Sequence, residues 1–413
     1  MTFDVTIRNA RLAGAAADAG PIDIGIANGR IVAIGASLSA GNEEVPADGK
    51  LVSTGLVETH VHLDKSRIVD RAPPSPNRGT DHMKRVAAVK SEFTVEDVYA
   101  RAQQTLEECI VHGTTHMRTH VEVDPNVGLR GFDAIEQLAR DYRWAIDLEV
   151  CVFAQEGHTN VPEADANLVT ALKRGARVIG GAPGYDPDRP GQIRRIFELA
   201  RQFDVDVDIH LDVGASAEEL DVLLVCDLAE RYGWGGRTAI GHGTKYANLP
   251  PQRLAELGKR LADAGVAVTV LPATDLFVMG RQLDHDIIRG VADANALMAC
   301  GVNCSLSTNN VLNPFTPFGD GSLIRIANLY ANIIQRGAAE ELAECFEMLT
   351  RRAARVQRRN DHEIAVGNPA DLVVWNVQSP AEAVARVAQP LIGFKGGRRT
   401  FTRTVPTLNR PGA

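Results

Sequence analysis

"GLVETHVH", residues 55–62, is an apolar run that closes on two histidines one residue apart. In a β-strand, side chains alternate between faces, so His60 and His62 would point the same way. Two imidazoles would then converge at one strand end, close enough to chelate a single metal ion. Taken alone, the pair reads equally well as an exposed edge without a ligand. The surrounding architecture decides between the two.

Seven further β-rich runs follow: "THMRTHVEV" (115–123), "IDLEVCVFA" (146–154), "RVIGGAP" (177–183), "VDVDIHLDV" (205–213), "RTAIGHG" (237–243), "VAVTVLPA" (266–273) and "NCSLSTNN" (303–310). After the first, successive runs begin about thirty residues apart, the length of one βα unit. The segments between them carry helical periodicity, as in "VEDVYARAQQTLEECIVHG", where Gly113 is a natural stop, and "GQIRRIFELARQF". Eight alternating units predict an α/β fold of the (βα)8 TIM-barrel type, a closed sheet with no edge strand.

The chain ends differ. "FDVTIRNARL", "DIGIANGRIVAIG" and "KLVSTG" near the start, and "AVGNPADLVVWNV" and "PLIGFKGGRRTF" near the end, are short strands broken by turn residues. They predict one small β-sandwich built from both termini, residues 1–54 and 361–413, flanking a barrel at 55–360. Residues 63–94, with "RAPPSPNRGTDHM", form a long Pro-rich connection of the kind that serves function at a barrel's C-terminal face.

Bulk composition narrows the function. A formal charge of −8 with no Lys/Arg block argues against a nucleic-acid partner. No apolar window is long enough to span a membrane, and "MTFDVTIRNARL" lacks the regions of a signal peptide. Six cysteines without a CxxC read as free thiols of a cytoplasmic protein.

Four of the eleven histidines fall at predicted strand ends: His60 and His62 on the first, His210 on the fifth and His242 on the sixth. Barrel chemistry sits at the C-terminal ends of strands. Three neutral imidazoles from His60, His62 and His210 suit Zn²⁺ or Fe²⁺ with a position left open for water. His242 is then placed to act as acid or base.

The stretches "GLVETHVHLDK", "GTTHMRTHVEVD", "VFAQEG", "DIHLD", "GHGTKY" and "VGNPADLVVW" resemble the amidohydrolase superfamily, and within it the cytosine deaminase and N-isopropylammelide amidohydrolase group. The resemblance covers nearly the whole chain. It implies one divalent metal per chain held by His60, His62 and His210, with His242 as a catalytic residue beside it. It also implies a homo-oligomer and a small N-heterocycle as substrate. Gln155 matches the glutamine that bonds the heterocycle edge. The "RVIGGAP" run has no lysine, so the bridging carbamate of two-metal relatives is not expected.

The pattern is broken at two places. Val213 stands where cytosine deaminases carry a proton-shuttling glutamate, and Asn309 stands where most of the superfamily carries a metal-binding aspartate. An amide cannot act as a base. Asp212 shares the face of His210 if the strand stays regular, and would then help orient the site. Lys65 and Asn310 match substrate-contacting residues of the ammelide branch, whereas Met279 replaces a substrate-contacting glutamine. The expected activity is hydrolysis of an exocyclic C–N bond, a deamination or N-dealkylation, on a nitrogen heterocycle. A ring-opening cyclic amidase, and a catalytically impaired relative that binds a heterocycle or metal, remain alternatives.

Overall fold

A computed structural model describes residues 2–16, 19–75 and 81–410. Eight strands pair in sequence order into a parallel sheet: Leu56–Val61, Thr114–Glu122, Asp147–Phe153, Val178–Ile179, Asp206–Leu211, Thr238–His242, Val266–Val270 and Cys304–Leu306. The sheet closes on itself where the Asn309 N–H donates to the His60 carbonyl and the His62 N–H to the Asn309 carbonyl, both at 2.8 Å. The predicted barrel is therefore present, with each strand inside its predicted run or within a residue of it.

The fourth strand is the shortest, at two residues. Gly180 follows it where the backbone of the fifth strand comes close. A Cβ there would lie 2.2 Å from the Asp208 carbonyl oxygen, so only glycine permits the approach. Helices cover the outside. Val95–Val111 begins at the Thr94 side chain, which accepts the Asp97 N–H, and buries Val98, Ala102, Leu106, Cys109 and Ile110. Truncating a fully buried leucine such as Leu106 costs about 2–5 kcal/mol.

The terminal strands join as predicted. Phe3–Leu12 pairs through Phe3 to Ala10 with Ile22–Ala27 and Gly41–Pro46, and through Arg11 and Leu12 with Leu51–Thr54. Leu372–Trp375 adds antiparallel to Leu51–Thr54, followed by Pro390–Lys395 and Arg398–Thr402. Ile7, Ile24, Ile26, Val52, Leu372, Val374 and Phe394 form their own apolar core. The Lys395 ammonium ties this sheet to the barrel, bonding Asp371 at 2.7 Å and Asp147, on the third barrel strand, at 2.9 Å. His362 donates to the Gly55 carbonyl at 2.8 Å beside it.

The long connection after the first barrel strand carries a helix, His82–Lys90, capped by Asp81; its residues 76–80 lie outside the described part. All six cysteines are free thiols, five of them buried. Among the described residues no helix is long and apolar enough to cross a membrane.

Candidate active site

The strand ends bring His60, His62, His210 and His242 together. Nε2 of His210 is the hub, 3.0 Å from Nε2 of His60 and 3.0 Å from Nε2 of His62. His60, His210 and His242 each place a ring nitrogen within 4.8 Å of the other two. Gly241 makes room for the cluster: a Cβ at that position would stand 2.7 Å from Cε1 of His60.

Hydrogen bonds set the tautomers. His62 donates Nδ1–H to the His120 carbonyl and His210 donates Nδ1–H to the Gly181 carbonyl, each at 3.2 Å. Their Nε2 atoms therefore carry lone pairs, and these meet at 3.0 Å. Two lone pairs at that separation repel unless a cation sits between them. Burial, reinforced by the crowding of the histidines on one another and, for His62 and His210, by Lys65, pushes His60, His62 and His210 well below the ordinary histidine range. Neutral imidazole is the form that ligates metal. The buried side-chain oxygen of Asn309 has no hydrogen-bond partner among the described residues, and its backbone is bonded to His60 and His62 on either side of it. A neutral nitrogen cluster with an orphaned oxygen beside it fits a divalent cation.

Three non-glycine residues at the barrel's strand ends adopt left-handed backbone: Asp212 at φ 52°, His242 at φ 79° and Asn309 at φ 62°. Asn, Asp and His are the non-glycine residues found most often in this region, which costs a non-glycine residue about 1–3 kcal/mol. The turn at Asp212 overturns the expectation that its carboxylate shares the face of His210. That carboxylate instead accepts the N–H groups of Asp221 (2.9 Å) and Val222 (3.3 Å) and the Tyr246 hydroxyl (2.9 Å), holding the start of the next helix.

Lys65 is buried between the faces of Phe153 and Phe315, its ammonium 2.6 Å from Glu122. Burial opposes the charge on Glu122, yet Lys65 and Lys90 bring its carboxyl down to about 2. Gln155 is buried one strand over, its backbone N–H held by Asp124 at 3.0 Å. Asn310 accepts from Asn313 at 2.6 Å, and Asn313 also donates to the Lys65 carbonyl. Met279 lines a cavity of about 630 Å³ together with Phe277, Arg281, Thr316 and Phe318. None of the clustered histidines lines that cavity. Val213 is half exposed.

Two groups of residues escaped the sequence reading. Asp275, in the short helix Pro272–Val278 after the seventh strand, accepts Nδ1–H of His242 at 2.6 Å. Burial raises its carboxyl, with His242 pulling the other way. Beneath the cluster, His120 stacks on His60 with ring centres 3.7 Å apart. Asp208 lies 3.5 Å from Nε2 of His120 and 3.8 Å from Nδ1 of His60, and pairs with Arg118 at 2.9 Å. The signal was present: His116, Arg118, His120 and Glu122 alternate along one face of the second strand, where a barrel interior normally holds branched apolar side chains.

Over 411 aligned residues the chain is 28% identical to the N-isopropylammelide isopropyl amidohydrolase of Pseudomonas sp. (strain ADP), and the alignment covers 96% of each. The 5-methylcytosine deaminase of Klebsiella pneumoniae, crystallised with 5-fluorocytosine, superposes with a TM-score of 0.92 at 26% identity, covering 99% of this chain and 100% of that one. The N-isopropylammelide isopropylaminohydrolase of Burkholderia multivorans superposes with a TM-score of 0.83 at 26% identity, covering 97% and 98%. The sequence profile of the amidohydrolase family matches residues 132–400, and the chain belongs to that family.

Proposed function

We propose that this protein is a metal-dependent hydrolase that cleaves an exocyclic C–N bond of a nitrogen heterocycle, releasing ammonia or an amine. The observation that carries this reading is the convergence of Nε2 of His60 and Nε2 of His62 on Nε2 of His210, each at 3.0 Å, with His242 next to them. His60, His62 and His210 would hold one Zn²⁺ or Fe²⁺, which when bound would supply Lewis acidity to the reaction. His242 passes the proton between water and the leaving nitrogen.

Gln155, Lys65 and Asn310 read the donor and acceptor edge of the ring. Each is buried, so a ring that mismatched them would strand polar groups without partners, and discrimination is strong. Met279 adds an apolar contact. Asn309 occupies the position of the family aspartate and offers the metal a neutral oxygen. The working unit is a cytoplasmic homo-oligomer whose barrel, residues 55–360, is flanked by sandwich halves at 1–54 and 361–413.

The test is a panel of pyrimidines, triazines and pterins, offered to protein loaded with Zn²⁺ or Fe²⁺ and assayed for ammonia and amine. Release from at least one ring supports the reading. Ring opening without release shifts the assignment to a cyclic amidase. Metal bound in full with no turnover on any ring makes this a binding protein.

A further inference from the structure

The reaction proposed above needs a group that accepts a proton from water and returns one to the leaving nitrogen. Neither Asn309 nor Val213 can carry it. A carboxylate nevertheless reaches the site, from the end of the seventh strand. Asp275 is fully buried, and its Oδ1 accepts Nδ1–H of His242 at 2.6 Å. Its other oxygen accepts the Leu271 N–H at 3.3 Å. With both oxygens engaged, the carboxylate is held against rotation, and Nδ1 of His242 has to carry the hydrogen. Nε2 is left with its lone pair on a ring centred 5.7 Å from His210 and 6.0 Å from His60. His242 takes this place with left-handed backbone, a conformation that a non-glycine residue keeps only where the surrounding structure imposes it.

We propose that Asp275 is a positioning residue that fixes His242 in the Nδ1–H tautomer, so that the seventh strand supplies the carboxylate the eighth lacks. The inference rests on the hydrolase reading. As the water oxygen bonds to the ring carbon, one water proton moves to Nε2, and Asp275 holds the resulting imidazolium in place. When the exocyclic C–N bond breaks, that proton leaves with the nitrogen as ammonia or amine. The second water proton ends on the ring nitrogen as the carbonyl forms. A histidine fixed by a carboxylate in this way is a recurring device in hydrolytic sites.

Asp275→Asn is the informative variant because it keeps shape and volume. Its one oxygen is claimed by the Leu271 N–H, which turns the amide NH₂ toward His242. The ring is then forced into the opposite tautomer, with hydrogen on Nε2. In ¹⁵N-histidine-labelled full-length protein, the Nδ1–H proton of a 2.6 Å bond to carboxylate should resonate far downfield, and it should vanish in Asp275→Asn and in His242→Gln. In the metal-loaded enzyme, kcat of Asp275→Asn should fall about 10²- to 10⁴-fold, with KM and metal content unchanged and partial recovery in Asp275→Glu. A kcat within about threefold of wild type, or a downfield resonance that survives Asp275→Asn, overturns the inference while leaving the hydrolase reading intact. If the wild-type protein turns over no heterocycle, the hydrolase reading fails by itself, and the resonance still decides whether the pair exists.

Discussion

Lys90 and Asp124 form a buried ion pair at 2.9 Å, and through it the long loop after the first barrel strand is tied to the floor of the site. The same ammonium bonds Glu122 at 2.8 Å and also meets Glu156. Glu122 holds Lys65, and Asp124 holds the backbone of Gln155 and Glu156. One lysine thus braces two residues assigned to the ring edge.

Removing that ammonium leaves two buried carboxylates, Glu122 and Asp124, short of a partner. Breaking a buried pair from one side costs about 3–5 kcal/mol, most of it the stranded charge. Lys90→Met should therefore lose about that much in urea unfolding, and Lys90→Met with Glu122→Gln should recover part of it. A loss below about 1 kcal/mol in the single variant would show that the network carries little stability.

Metal content separates the upper histidine cluster from the lower one. His210 sits at the centre of both Nε2 contacts, whereas His120 faces Asp208 beneath them. Elemental analysis should find about one metal per chain in the wild type, almost none in His210→Ala, and most of it retained in His120→Ala, since only the former removes a ligand. If His120→Ala emptied the site as fully as His210→Ala, the ion would belong lower in the barrel.

His362 sets a pH dependence away from the cluster. Burial, against a bond to the Gly55 carbonyl that favours the proton, lowers this histidine to about 4. An unfolded chain takes up the proton near its ordinary value of about 6.5. Between those values the unfolded state binds more protons than the folded one, so stability is full above about pH 6.5 and drains as the pH falls toward 4. Unfolding curves for His362→Gln should show a shallower acid slope than wild type over that interval; equal slopes would remove His362 from the account.

The barrel was readable because it is written in local alternation: strand runs spaced by helical periodicity need no knowledge of what packs where. Its details depend on contacts distant in sequence. The run at 177–183 yields only Val178–Ile179 as regular strand, and at Gly180 a carbonyl from residue 208 leaves no room for a side chain. The four strand-end histidines stood out by type and place, whereas Asp275 lay unmarked inside "LPATDLFVMGR". Its partner is 33 residues away, and nothing local sets this aspartate apart from any other in a helix's first turn. Asp212 failed for the converse reason, since a positive φ re-aimed a side chain that regular alternation had placed beside His210.

Asn309 tests how far three imidazoles suffice. Its φ of 62° suits Asp as well as Asn, so Asn309→Asp changes charge with little backbone penalty. The orphaned buried oxygen then becomes a carboxylate. Without metal that carboxylate is stranded and costs stability; with metal it is paired, and binding energy adds to folding energy. The melting temperature of Asn309→Asp should therefore fall below wild type in chelator and rise above it in excess Zn²⁺. A variant that melts like wild type in both conditions would mean that the residue 309 side chain does not reach the ion, and its unpartnered oxygen would need another explanation.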